Sequence, residues 1–183
     1  MCTRRERGVS LVELIVFIVI VGVAMAGLFA AFNTMTAHSA DPQVRKQVLA
    51  IAESLMEEIQ LMPFTYCDPD DPAAPTATGT GDCATVEGIG QEAPETVTSR
   101  DLFDNVSDYH NFSMSPIKNI DGVTVTGLEN YSASVTVANA GTALGLGADD
   151  RGLRITVTAT HLPTGTQIVL EGFRARYAPT VLP

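Results

Sequence analysis

Basic residues are scarce in this chain. Only 11 Lys and Arg stand against 21 Asp and Glu over 183 residues, a formal net charge of −10. Nucleic-acid binding relies on a basic surface, so this balance argues against it. Metal-ligating side chains are as sparse: His38, His110 and His161 are scattered, and the three cysteines are Cys2, Cys67 and Cys83. No Cys/His set has the spacing of a zinc site. Catalytic signatures are missing too, with no glycine–serine elbow, no HExxH and no phosphate loop. Gly141, Gly145, Gly147 and Gly152 lack the lysine and the strand–loop–helix setting of a nucleotide site, and read as a hairpin loop. The expectation is a protein that is not an enzyme and needs no cofactor.

What the chain has is one long apolar run with a carboxylate near its start. Arg4, Arg5 and Arg7 form a basic leader ending at Gly8, and Val9-Ser10-Leu11-Val12-Glu13 leads into 19 uncharged residues, Leu14 to Phe32. A helix needs about 20 residues to cross a bilayer. An ionisable side chain at its edge is costly and asks for a partner. An ordinary secretory signal with a cut at Ala24-Met25-Ala26 is one alternative. It leaves Glu13 inside the apolar core, and the run continues past the cut through Leu28, Phe29 and Phe32. A plain membrane anchor is the other, with Ser10-Leu11-Val12-Glu13 a capping box that closes the helix start.

Gly8, Val9 and Glu13, at that spacing and followed by a span-length apolar run, resemble the class III signal of type IV pilins and type II secretion pseudopilins. Val9 departs from the phenylalanine commonest at the new N-terminus. The resemblance implies cleavage between Gly8 and Val9 and N-methylation of Val9. Both steps fall to a prepilin peptidase/methyltransferase. It also implies that Glu13 guides packing against other pilin subunits delivered by an inner-membrane assembly platform. The expected divisions are a cleaved leader at 1–8, a transmembrane and filament-core helix at 9–38, and a periplasmic head at 39–183. The arginines before the span favour a cytoplasmic N-terminus, with Arg45 and Lys46 as a counterweight beyond it. Such a chain sits in the inner membrane as a single pass before reaching a pilus at the cell surface. Pilins are structural subunits; the rival classes are a pseudopilin of a secretion piston and an anchored periplasmic binding protein that never polymerises.

Loss of the leader removes three Arg and one Glu, leaving 8 basic and 20 acidic residues and a net charge of −12. It also removes Cys2 and leaves Cys67 and Cys83 as an even pair. In an oxidising periplasm these are expected to bridge; free thiols or half a metal site are the alternatives.

Beyond the span, Ser39-Ala40-Asp41-Pro42 reads as a break and a new helix start. Val44, Val48, Ile51, Leu55, Ile59 and Met62 then recur at helical spacing, so an apolar stripe over 42–61 is expected to lie on the head, with Pro63 ending it. Glu53, Glu57 and Glu58 read as a solvated face. Residues 64–91 read as a long loop ordered by the disulfide. In it Asp68, Asp70 and Asp71 are the candidate ligands for calcium, which favours oxygen donors, but they lack helix-loop-helix spacing. The cluster Asp101, Asp104 and Asp108 reads as a loop or short helical turn packed on the head, with metal binding the lesser alternative.

The C-terminal part, 120–178, is β. Gly122–Thr126, then Tyr131, Ala133, Val135 and Val137, then Leu153, Ile155, Val157 and Ala159, alternate apolar with polar residues. Ile168 and Leu170 continue this, while Phe173, Ala175 and Tyr177 fall in the opposite phase, which predicts a bulge at Gly172. Pro163-Thr164-Gly165 predicts a hairpin turn. The fold class is therefore α+β of type IV pilin kind: a long N-terminal helix broken near Asp41-Pro42, packed on about four antiparallel strands.

Overall fold

The computed structural model describes residues 10–177, with 34–41 by backbone alone. One helix, α1 (Leu11–Leu61), precedes four strands: β1 (Ser113–Met114), β2 (Tyr131–Asn139), β3 (Gly152–His161) and β4 (Thr166–Ala175). The chain divides into two compact units, 1–43 and 44–183. The break expected near Asp41-Pro42 is not a loss of helix, because helical backbone continues through Pro42. A proline inside a helix forfeits one N–H bond and crowds one carbonyl, a cost of about 3 kcal/mol. Burial of the turns that follow offsets that locally, and the division between units falls one residue after it.

In the second unit the helix stripe behaves as its spacing predicts. Val48, Ile51, Ala52, Leu55, Met56 and Ile59 are buried, with Val44 and Met62 packed at the margin. Burying such a side chain contributes roughly 1.5–3 kcal/mol. Their cover is the inner face of the sheet: Tyr131, Ala133, Val135 and Val137 from β2, and Leu153, Ile155, Val157 and Ala159 from β3. The helix ends at Leu61, and Pro63 follows with its carbonyl accepting the N–H of Val106 at 3.1 Å.

The sheet is a meander in the order β1-β2-β3-β4, antiparallel throughout. The turn between β3 and β4 has Gly165 at φ +67, a left-handed conformation that favours glycine. The bulge expected at Gly172 is absent, since pairing is one-to-one through Ile155↔Gly172 and Arg154↔Phe173. Gly172 instead lies buried on the inner face, where a Cβ would come within 2.8 Å of both Met56 Sδ and Gln60 Nε2. The helix passes too close there for a side chain, and Phe173 simply faces outward. The apparent change of phase comes from this gap in the apolar pattern.

Gly122–Thr126 is not the first strand. Gly122 and Gly127 have φ +77 and +88, and the segment turns back on 117–119 through a single Lys118↔Thr124 bridge. The sheet edge beside β2 is filled by Ser113–Met114. The loop at 140–151 joins β2 to β3 and closes on itself, with Gly141 N–H donating to the Asp149 carbonyl and Leu146 N–H to that of Gly141.

Candidate functional site

Gly8 and Val9, the expected cleavage and methylation site, and the rest of the leader lie outside the described residues. The structure begins at Ser10, whose carbonyl accepts the N–H of Leu14 at 3.1 Å. Glu13 therefore sits in the first turn of α1, where a carboxylate suits the helix dipole. It is exposed, and among the described residues it makes no hydrogen bond or ion pair within the chain. The reciprocal bonds of a capping box are thus not made.

The 23 residues Leu11–Asn33 have a mean hydropathy of 2.9 and none of them is buried. At about 1.5 Å per residue they suffice for a hydrocarbon core of about 30 Å. Leu14, Phe17, Ile20, Leu28, Phe29 and Phe32 are all more than half exposed. A face this apolar is stable in water only when lipid or other helices cover it.

Within the second unit, Cys67 and Cys83 are joined by a disulfide, and Cys67 packs with Ala74 and Ala77 in a small core of their own. Asp71 does not join its acidic neighbours. Its carboxylate accepts the N–H groups of Thr85 at 2.6 Å and Ala73 at 2.8 Å, and these bonds hold it below the ordinary carboxylate range. The stretch behaves as a pinned loop.

Glu58 departs from the solvated face read for it; Glu53 and Glu57 do not. Its Oε1 accepts from Arg100 Nε at 2.6 Å and from the Tyr109 hydroxyl at 2.9 Å. Arg100 is buried, donates also to the Lys118 carbonyl, and lies 5.6 Å above the Phe112 ring. Phe103, Tyr109 and Phe112 pack edge to face around it. The 101–109 segment is thereby a short helical turn, Ser107–Tyr109, seated on the core.

A cluster that spacing alone did not indicate is acidic. Asp68 and Asp70 from the disulfide loop, Glu92 and Glu95 from the next loop, and Asp104 line one cavity of about 70 Å³. Ligand-capable oxygens of Glu95, Asp104 and Asp108 all lie within 4.8 Å of one another, as do those of Asp68, Asp70 and Asp104. Burial, reinforced by the neighbouring carboxylates, raises two of these groups, Glu95 to about 8 and Asp104 to about 6. The Glu87–Asp108 pair is raised for the same reason, as is Glu92.

Residues 3–29 match the family model for the prokaryotic N-terminal methylation motif. No curated protein and no solved structure matches the chain. The motif, the span-length helix and the helix-on-sheet head together support a type IV pilin or pseudopilin, anchored in a membrane and processed by a prepilin peptidase.

Proposed function

We propose that this chain is a minor structural subunit of a type IV pilus, cleaved after Gly8, methylated at Val9 and held in its filament through Glu13. The observation that carries the reading is a lone exposed carboxylate at the head of an uncovered apolar helix, within the methylation motif. Such a carboxylate needs compensation in a low dielectric, and the α-ammonium of a neighbouring subunit at Val9 supplies it. In this reading the N-terminus is cytoplasmic and the head periplasmic before assembly.

Among such pili, the mannose-sensitive haemagglutinin (MSHA) type is the one proposed. Ser39-Ala40-Asp41-Pro42, the Ala50–Ile59 stretch, Tyr66-Cys67-Asp68-Pro69, Asp104–Tyr109 and the closing Gly172–Pro179 are similar to the minor pilin MshD. The part is one of initiation, capping or adhesion, without catalysis. Glu13→Gln tests it, because glutamine would serve a capping box equally well. The variant is expected to be processed to a chain beginning at Val9, by intact mass, yet to be depleted from sheared pili. Incorporation equal to the unaltered chain would overturn the role of Glu13, and a chain beginning at Gly27 would overturn the pilin reading itself. Loss of exoprotein release with pili intact, on deletion of the gene, would transfer the chain to a secretion pseudopilus.

A further inference from the structure

Three loops deliver carboxylates to one place, and one of these carboxylates is left incomplete. Asp108 is fully buried. Its Oδ2 accepts the N–H groups of Asp104 at 3.0 Å and Asn105 at 2.6 Å, which fixes the orientation of the group. Its Oδ1 is buried with no hydrogen-bond partner. A buried carboxylate oxygen without a partner costs free energy that native structures rarely leave uncompensated.

We propose that the head binds a calcium ion between Glu95, Asp104 and Asp108, with Asp68 and Asp70 on the rim. Two oxygens on one calcium ion are separated by at most about twice 2.3–2.6 Å. The Glu95, Asp104 and Asp108 oxygens, all within 4.8 Å of one another, meet that limit. The other groups facing the site, Asp68, Asp70, Glu87 and Glu92, are also acids. The nearby guanidinium groups are engaged elsewhere: Arg100 with Glu58, and Arg176 stacked 4.1 Å from the Phe64 ring with Asp150 at 3.7 Å. Among the described residues, no cation forms an ion pair with Glu95, Asp104 or Asp108.

Oxygen-only donors from irregular loops suit calcium, which accepts six to eight ligands in loose geometry, better than magnesium, which requires a near-ideal octahedron. The adjoining cavity of about 70 Å³ leaves room for the waters that complete the shell, each needing about 10–15 Å³. The disulfide at Cys67 holds Asp68 beside it.

The test uses the full chain in detergent, stripped with chelator and then titrated with CaCl2 by calorimetry, with thermal unfolding followed in parallel. One ion per chain is expected, with a Kd at or below about 1 mM, as in extracellular calcium modules. Added calcium should raise the Tm. Glu95→Gln and Asp104→Asn should each weaken binding about tenfold or more, while Asp121→Asn, at an exposed acid elsewhere, should leave it unchanged. Both ligand variants remove charge from a crowded group, so they should fold in chelator with a Tm no lower than the unaltered chain. Three results would each overturn the assignment: no heat and no Tm shift at about 10 mM calcium, unchanged binding in both ligand variants, or magnesium binding as tightly as calcium.

Discussion

Glu58 shows how one residue on a helix can leave its expected environment. Its neighbours Glu53 and Glu57 face solvent, but Glu58 reaches Arg100 and the Tyr109 hydroxyl, so the guanidinium keeps a counter-charge in a mostly apolar setting. Glu58→Ala strands that cation and should cost about 1.5–3 kcal/mol, the range for hydrogen bonds to charged groups. Tyr109→Phe, which leaves the ion pair intact, should cost about 1 kcal/mol. Urea unfolding of the detergent-solubilised chain checks both, and equal losses would show that the ion pair adds nothing. Nothing in the spacing of the helix reveals the role of Glu58, because its partners are 42 and 51 residues away. Gly172 was legible as an irregularity but not as a contact, since the atoms that forbid a side chain there belong to Met56 and Gln60.

At the scale of elements, legibility follows locality. The stripe from Val48 to Ile59, the stop at Pro63 and the turn at Gly165 are written in consecutive residues and appear as read. Ser113–Met114 is too short to show a period, and Gly122–Thr126 alternates but is bounded by turn glycines, so alternation points to the wrong segment for the first strand. The acidic pocket draws on loops spread over 68–108, and no window of sequence contains it. The disulfide loop is the element whose contribution is most easily isolated. Its cysteines are 16 residues apart, and closing a loop of that size contributes about 3 kcal/mol in the chain-entropy model. A Cys67→Ala/Cys83→Ala double variant should lose about that much in urea unfolding. Because the small core of Ala74 and Ala77 leans on Cys67, protease cleavage should then appear first within 68–85.

For the whole molecule, the crowded acids set a pH dependence of unusual sign. Asp104 and Glu95, raised to about 6 and about 8, keep their protons in the folded head at pH values where the unfolded chain has released them. The folded state then binds more protons, and stability falls as pH rises. In chelator the Tm should be highest near pH 4–5 as far as these groups determine it, and should decline between about 5 and 8. Glu87, Glu92 and Asp108 face the same space and are raised too, so they act in the same direction, while Arg176 beside Glu87 opposes them. A thermal-unfolding series with chelator checks this, and a Tm rising across that window would contradict it.

If the head is exported as proposed, the meander and the helix that it covers also set an order of events. Secretion proceeds from the N-terminus, so the stripe of Val48, Ile51, Leu55 and Ile59 emerges well before residues 131–159, which form its main cover. Each strand pairs with the next in sequence, so the sheet can form hairpin by hairpin once it arrives. Until then a sticky helix face stands open, and a chain stalled before β3 would present it to every neighbour. The last strand completes the head by sliding Gly172 beneath Met56 and Gln60. The head is therefore complete only once β4 is in place, and a chain cut short before Gly172 would leave part of the helix face uncovered.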